Sequence, residues 1–208
     1  MQRGNTRLAK LEREIHACRL CRDAPSGRPL PHEPRPVLQV STTARLAICG
    51  QAPGTRVHVS GRPFTDPSGD RLRAWIGLDP ETFYDARRVA IVPMGFCFPG
   101  LDAKGGDLPP RRECARTWHA DVFAALPQIE LVLLVGAYAQ AWHLGDRCGP
   151  SLTATVANWQ AIGAWPGSRK YVPLPHPSWR NTGWLKRNLW FEADLLPVLR
   201  ADVKAAIG

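Results

Sequence analysis

The chain has 208 residues, 44% hydrophobic and 22% charged, which supplies a buried core and excludes intrinsic disorder as a global description; the length suits a single domain over residues 1–208. With 27 Lys and Arg against 18 Asp and Glu, the formal charge is +9 and the pI near 9.7, a balance that suits a polyanionic partner and equally a basic enzyme with no nucleic-acid role. No apolar run approaches the roughly 18 residues of a membrane span, and Met1 to Arg13 lacks the apolar stretch of a signal peptide, so no membrane partner and a cytoplasmic, monomeric protein are expected.

Leu8, Leu11, Ile15 and Cys18 recur at three- and four-residue steps, which predicts an amphipathic helix over Thr6 to Leu20. Five prolines make Asp23 to Pro36 a loop, and Ala44 to Cys49 reads as a buried strand running into a Gly/Pro turn. Ser68 is expected to cap a helix over Gly69 to Ile76. Val89 to Pro93 is the second strand, and Gly95 to Leu108 a long loop. Pro109 and Pro110 suit the start of a helix that carries Cys114, Trp118, Val122 and Leu126. Leu131 to Val135 is the clearest strand and enters a helix over Gly136 to Leu144. A helix over Leu152 to Trp159, a strand over Tyr171 to Leu174 and a closing helix over Trp184 to Ala206, kinked at Pro197, complete the pattern. Strands alternating with helices predict an α/β fold, a three-layer αβα sandwich around a mainly parallel four-stranded sheet, with ligands gathering at the carboxyl ends of the strands.

Charge and aromatic residues are unevenly placed. From Arg147 to Phe191 there are six cations, Arg147, Arg169, Lys170, Arg180, Lys186 and Arg187, and no acid. Trp159, Trp165, Trp179, Trp184 and Trp190 share that stretch, a mixture that binds phosphates and stacks on bases, although tryptophan also fills cores. The six cysteines are expected to be free, metal-bound or catalytic in a reducing compartment, and Cys18-x-x-Cys21 requires an explanation of its own.

Two motifs stand at strand ends. Gly50-Gln51-Ala52-Pro53-Gly54 follows the first strand, with Gly61-Arg62-Pro63-Phe64 close behind, and His176-Pro177-Ser178 follows the last. This pairing resembles the uracil-DNA glycosylase superfamily, whose first motif is a Gly-x-x-Pro turn and whose second is His-Pro-Ser. The segment Ser60 to Leu72 resembles its iron-sulfur families four and five, and the resemblance covers about Leu11 to Leu199. It implies DNA containing uracil or another deaminated base as the substrate, flipped out of the stack for hydrolysis of its N-glycosidic bond. Cys18, Cys21, Cys97 and Cys114 match cysteines that hold a 4Fe-4S cluster in those families; four thiolates equally suit zinc, and unligated buried thiols are the plain alternative.

The resemblance gives roles to individual residues. Phe64 would stack on the extruded base, and His176 would donate a hydrogen bond to the base oxygen where negative charge builds. Gly50, Gln51, Ala52, Pro53 and Gly54 would read the base edge and position water, with Ser178 beside them. Trp179, Arg180 and Asn181 would enter DNA as an aromatic wedge beside a cation, and Lys186 would meet a phosphate. Phe64 as core, His176 as a turn residue and the wedge as a plain surface loop are the structural alternatives. The chain also departs from the pattern. Ala52 and Gln51 stand where other families carry a catalytic acid, and Pro93 where family four has a base-reading Asn. Asp66, just past Gly-Arg-Pro-Phe as in family five, is the candidate for orienting water, with Asp70 second and a plain turn former before Pro67 as the alternative. The covalently crosslinking branch is disfavoured, because Gly95 to Glu113 contains no His. A binder of damaged or abasic DNA with little excision, and a metal-stabilised protein with no DNA role, are the competing functions.

Overall fold

A computed structural model of the chain describes residues 2–208, with side chains described from residue 6 onward. Helices α1 (Gln2–His16) and α2 (Leu20–Asp23) precede strand β1 (Leu46–Cys49), which is followed by α3 (Thr55–Ser60), α4 (Pro67–Ile76) and α5 (Pro80–Phe83). Strand β2 (Val89–Ile91) leads through a long loop to α6 (Arg112–Ala125), then β3 (Leu131–Val135), α7 (Ala137–Leu144), α8 (Leu152–Ala157) and α9 (Trp159–Gly163). Strand β4 (Lys170–Leu174), α10 (Thr182–Arg187) and α11 (Leu196–Ile207) close the chain.

The strands form one sheet in the order β2-β1-β3-β4, every pairing parallel. A parallel sheet is covered on both faces, so its strands read as unbroken apolar runs such as Leu131–Val135 rather than as alternation. Leu46, Ile48, Leu133 and Val172 point toward α4 and α11, whereas Ala47, Cys49, Val132 and Leu134 point toward α1, α6 and α7. This is the αβα sandwich expected from the sequence. Its edges are managed locally: Pro173 sits in the edge strand β4, where a missing N–H is tolerated, and Gln39 pairs antiparallel with Ile91 along the outer side of β2.

Several boundaries differ from the sequence reading. Helix α1 stops at His16, which leaves Cys18 in the break before α2. Asp66, not Ser68, is the cap of α4: its Oδ1 accepts from the backbone N–H groups of Ser68 and Gly69, with Pro67 in the first turn. The helix expected over Leu152 to Trp159 divides at Asn158 into α8 and α9. The closing helix breaks at Asn188, whose side-chain amide donates to the Trp184 carbonyl at 2.8 Å. A π-helical turn over Phe191–Leu195 then precedes α11, where Pro197 has no N–H to offer the regular ladder. Helices α3 and α5 are too short to show an apolar period in the sequence.

One buried polar side chain ties the functional edge together. Gln140 on α7 donates from Nε2 to the carbonyls of Leu174 at 2.9 Å and Leu134 at 3.3 Å, bridging the ends of β4 and β3. The Gly136 N–H donates to the same Leu174 carbonyl, so the chain leaving β4 toward His176 starts from a fixed point. Gln140→Leu is expected to cost about 1–3 kcal/mol, read as a lower urea midpoint with an unchanged denaturant slope.

Candidate active site

The carboxyl ends of β1, β2 and β4 open on one cleft, the position the parallel sheet favours for a ligand. Gly50, Gln51, Ala52, Pro53, Gly54, Phe64, Asp66 and His176 all line it, together with Pro93 and Asp107. Ser178, Trp179, Arg180, Asn181 and Lys186 do not.

Phe64 enters the cleft from a constrained corner. Among the described residues it is the one non-glycine with a positive φ, 54°, a conformation costing about 1–3 kcal/mol unless its surroundings impose it. They do so through its carbonyl, which accepts from Tyr84 Oη at 3.0 Å and Arg73 Nη1 at 3.3 Å. Helix α4 presses on the same carbonyl, since a Cβ on Gly69 would overlap it. The ring rests edge-on against Phe83 at 5.9 Å and reaches to where a Cβ on Gly50 would stand 3.4 Å from Cζ. A Cβ at residue 50 would therefore just touch the tip of the ring at the floor of the cleft.

Two carboxylates and one imidazole share the cleft. The capping bonds of Asp66 all fall on Oδ1, including one from the Ser68 hydroxyl, which leaves Oδ2 without a hydrogen bond among the described residues. The second carboxylate, Asp107, sits near the end of the long loop, where Leu101 and Asp107 form an isolated antiparallel bridge. The residue as a whole is exposed, yet its carboxyl lies over Gly54, where a Cβ would stand 3.2 Å from Oδ2. Burial of that carboxyl, followed by the charge of Asp66, raises its pKa against the pull of His176 and Arg180. Burial also lowers the pKa of His176, opposed by Asp66 and Asp107, so at neutral pH the ring is a neutral imidazole able to donate one hydrogen bond.

Other expected residues serve the frame. Gln51 donates from Nε2 to the Leu108 carbonyl at 3.1 Å, joining the first motif to the Asp107 loop. Ser178 accepts the Arg180 N–H on Oγ at 3.2 Å, and its carbonyl accepts from Arg71 at 2.9 Å. Asn181 spends its amide on the His176 carbonyl at 2.7 Å, holding the turn that presents the imidazole. Trp179 is 73% exposed, with the Arg180 guanidinium 5.8 Å from its ring. Of the five tryptophans in the acid-free stretch it alone stands in solvent; Trp159, Trp184 and Trp190 pack on the α4–α11 core, and Trp165 on the opposite one. Lys170 pairs with Asp202, and Arg169 donates to the Phe123 and Leu126 carbonyls. Arg180, Lys186 and Arg187 remain without ion pairs among the described residues. Asp70 is outside the cleft, paired with Arg73 at 2.5 Å.

The family model for the uracil DNA glycosylase superfamily matches residues 38–200. The chain belongs to that superfamily. A glycosylase-like role in DNA repair and a DNA substrate follow from the membership, and no helix among the described residues is long and apolar enough to cross a membrane.

Within this superfamily member a second cavity lies between α1, α2 and α6, lined by Cys18, Cys21, Cys97 and Cys114 together with Arg111. All six cysteines are unpaired. Burial pushes the Cys21 thiol up to about 11 and the Cys97 thiol up to about 12, and Cys114 higher still. The charge of Arg111 opposes the rise at Cys21, and the Phe96 N–H donates to Sγ of Cys114 at 3.3 Å. Among the described residues no group of three or more His, Cys, Asp or Glu is placed to hold a metal ion.

Asp107 is the residue that sequence reasoning missed. The loop Gly95 to Leu108 offers two acids, Asp102 and Asp107, and nothing local separates them; Asp102 turns inward to accept from Lys104 and Gly106. Because its folded pKa is raised, Asp107 contributes stability that is full below the ordinary carboxylate range and is lost as pH rises through the folded value. Asp107→Asn should therefore melt higher than the parent at pH 7, with the difference closing as pH falls below the usual carboxylate range, as a thermal melt at each pH would record.

Proposed function

We propose that this superfamily member is a monofunctional DNA glycosylase that removes uracil or a related deaminated base. The observation that carries the reading is the cleft itself, where an aromatic face, a neutral imidazole and two carboxylates meet the first-motif turn. Among the described residues no lysine lines it, so a Schiff base has no nucleophile and hydrolysis by water is the remaining route.

The residues divide the work as follows. The extruded base stacks on Phe64, while backbone N–H groups of the Gln51–Gly54 turn meet its edge. As the bond from C1′ to N1 breaks, its electron pair passes to the base, and neutral His176 donates to the oxygen that gains the charge. Water forms the new bond to C1′ and gives its proton to a carboxylate. Asp107 suits that transfer, because its raised pKa brings it nearer the working pH. Asp66, fixed through Oδ1 by the helix it caps, places its other oxygen to orient the water and face the sugar cation.

The four cysteines that line one cavity support a [4Fe–4S] cluster as the cofactor of this reading, with zinc as the alternative. Cys18, Cys21, Cys97 and Cys114 would hold it, with the Phe96 N–H and Arg111 moderating the thiolate charge. When bound it supplies a cross-link between the amino-terminal helices and the core. Anaerobically prepared protein is expected to contain about four iron atoms per chain; a colourless, iron-free preparation would remove the cluster from the reading.

The absence of an acid in Gly50–Gly54 favours one competing reading, a binder of damaged or abasic DNA with little excision. Single-turnover excision of uracil from an oligonucleotide separates the two. His176→Ala should lose about 10²-fold or more while still binding DNA, and Asp66→Asn and Asp107→Asn should each depress the rate more than Gln51→Ala. No excision by the parent protein, with tight binding retained, would select the binder.

A further inference from the structure

A second groove opens beside the cleft, on the α6–α7 side, lined by none of the residues of the proposed glycosylase site. Arg112 and Arg116 stand one turn apart on α6, and Tyr138 and Trp142 one turn apart on α7; all four line the groove and all four are exposed. Tyr138 is 44% and Trp142 45% exposed, an unusual outlay of aromatic surface to water. Neither Arg112 nor Arg116 has an ion pair among the described residues, and the lining holds no carboxylate at all.

Residues that neighbour one another along the chain line the groove and the cleft. Pro93 lines the cleft and Met94 the groove; Asp107 reaches the cleft and Pro109, two residues later, lines the groove. A strand with one nucleotide extruded into the cleft therefore has a flank close to this surface. Cations for phosphates beside aromatic faces for bases are what such a flank requires.

Exposed aromatic side chains suit a strand that offers base faces: a single strand presents them, whereas in a duplex those faces are covered by their neighbours.

We propose that the groove between α6 and α7 is a subsite for the single-stranded DNA flanking the extruded base, with Tyr138 and Trp142 stacking on bases and Arg112 and Arg116 meeting phosphates. The proposal rests on the glycosylase reading for the orientation of the strand, but its test does not. The probe is a fluorescein-labelled sixteen-nucleotide oligothymidylate without any target base, alongside the same length of duplex, with binding followed by anisotropy across a salt titration. The Tyr138→Ala/Trp142→Ala variant should bind the single strand about tenfold or more weakly, with a much smaller change for duplex, and Trp142→Phe should retain most of the affinity. Arg112→Ala/Arg116→Ala should reduce the single-strand salt slope by about 1.4, the sum for two phosphates at about 0.7 each. Single-strand affinity and slope that stay at the parent's values in folded variants would overturn the subsite, and so would equal losses on single strand and duplex. Failure of uracil excision with these binding losses intact would count against the glycosylase reading alone.

Discussion

Burial of a four-stranded sheet on both faces, with every strand running the same way, is the constraint from which the site follows. Successive strands are joined through covering helices that return the chain to the starting edge, so all four strands end at the same opposite edge. There the backbone has lost its ladder partners, and the turns supply new ones: the Gly136 N–H and Gln140 close on the Leu174 carbonyl, and the Met94 N–H on the Gly50 carbonyl at 2.8 Å. Satisfying those groups fixes where the first and second motifs stand relative to one another.

Within that frame, Phe64 and Asp66 show how structural and chemical demands share the same atoms. The start of α4 needs an oxygen for its first N–H groups, and Asp66 gives one. The same helix brings Gly69 and Arg73 to the Phe64 carbonyl, and Tyr84 completes the hold from beyond α5. A left-handed phenylalanine survives because α4 and Tyr84 together hold its carbonyl in place. Its ring is consequently aimed rather than loose, and the unpartnered oxygen of Asp66 is as fixed as the helix that Asp66 caps.

Electrostatics in the cleft draw the titration ranges of its imidazole and its second carboxylate toward each other. Burial disfavours charge on His176 and on Asp107 alike, so the imidazole becomes harder to protonate and the carboxyl easier. Asp66 works against the first effect and adds to the second. A neutral donor beside a carboxylate of raised basicity is the pairing that departure of an anionic base and attack by water both require. Around this centre the basic residues divide, since Lys170 is held by Asp202 and Arg169 by two carbonyls, while Arg180, Lys186, Arg112 and Arg116 face solvent without ion pairs among the described residues.

The layered α/β architecture, the strand positions and the two motifs were legible in the sequence, because apolar runs, glycines and prolines report local conformation directly. Phe64, His176 and the first-motif turn were legible as a group only through their resemblance to a family, since no spacing along the chain places residue 64 beside residue 176. What the sequence could not supply was Asp107, the capping duty of Asp66, the use of Ser178, Gln51 and Asn181 in holding turns, and the pairing of α6 with α7 across a groove. Local pattern fixes secondary structure because its interactions span a few residues. Which of two acids in a loop reaches the cleft, which tryptophan is buried and which arginine stays free are decided by contacts between distant segments, and those exist only once the sheet has brought its strand ends to one edge.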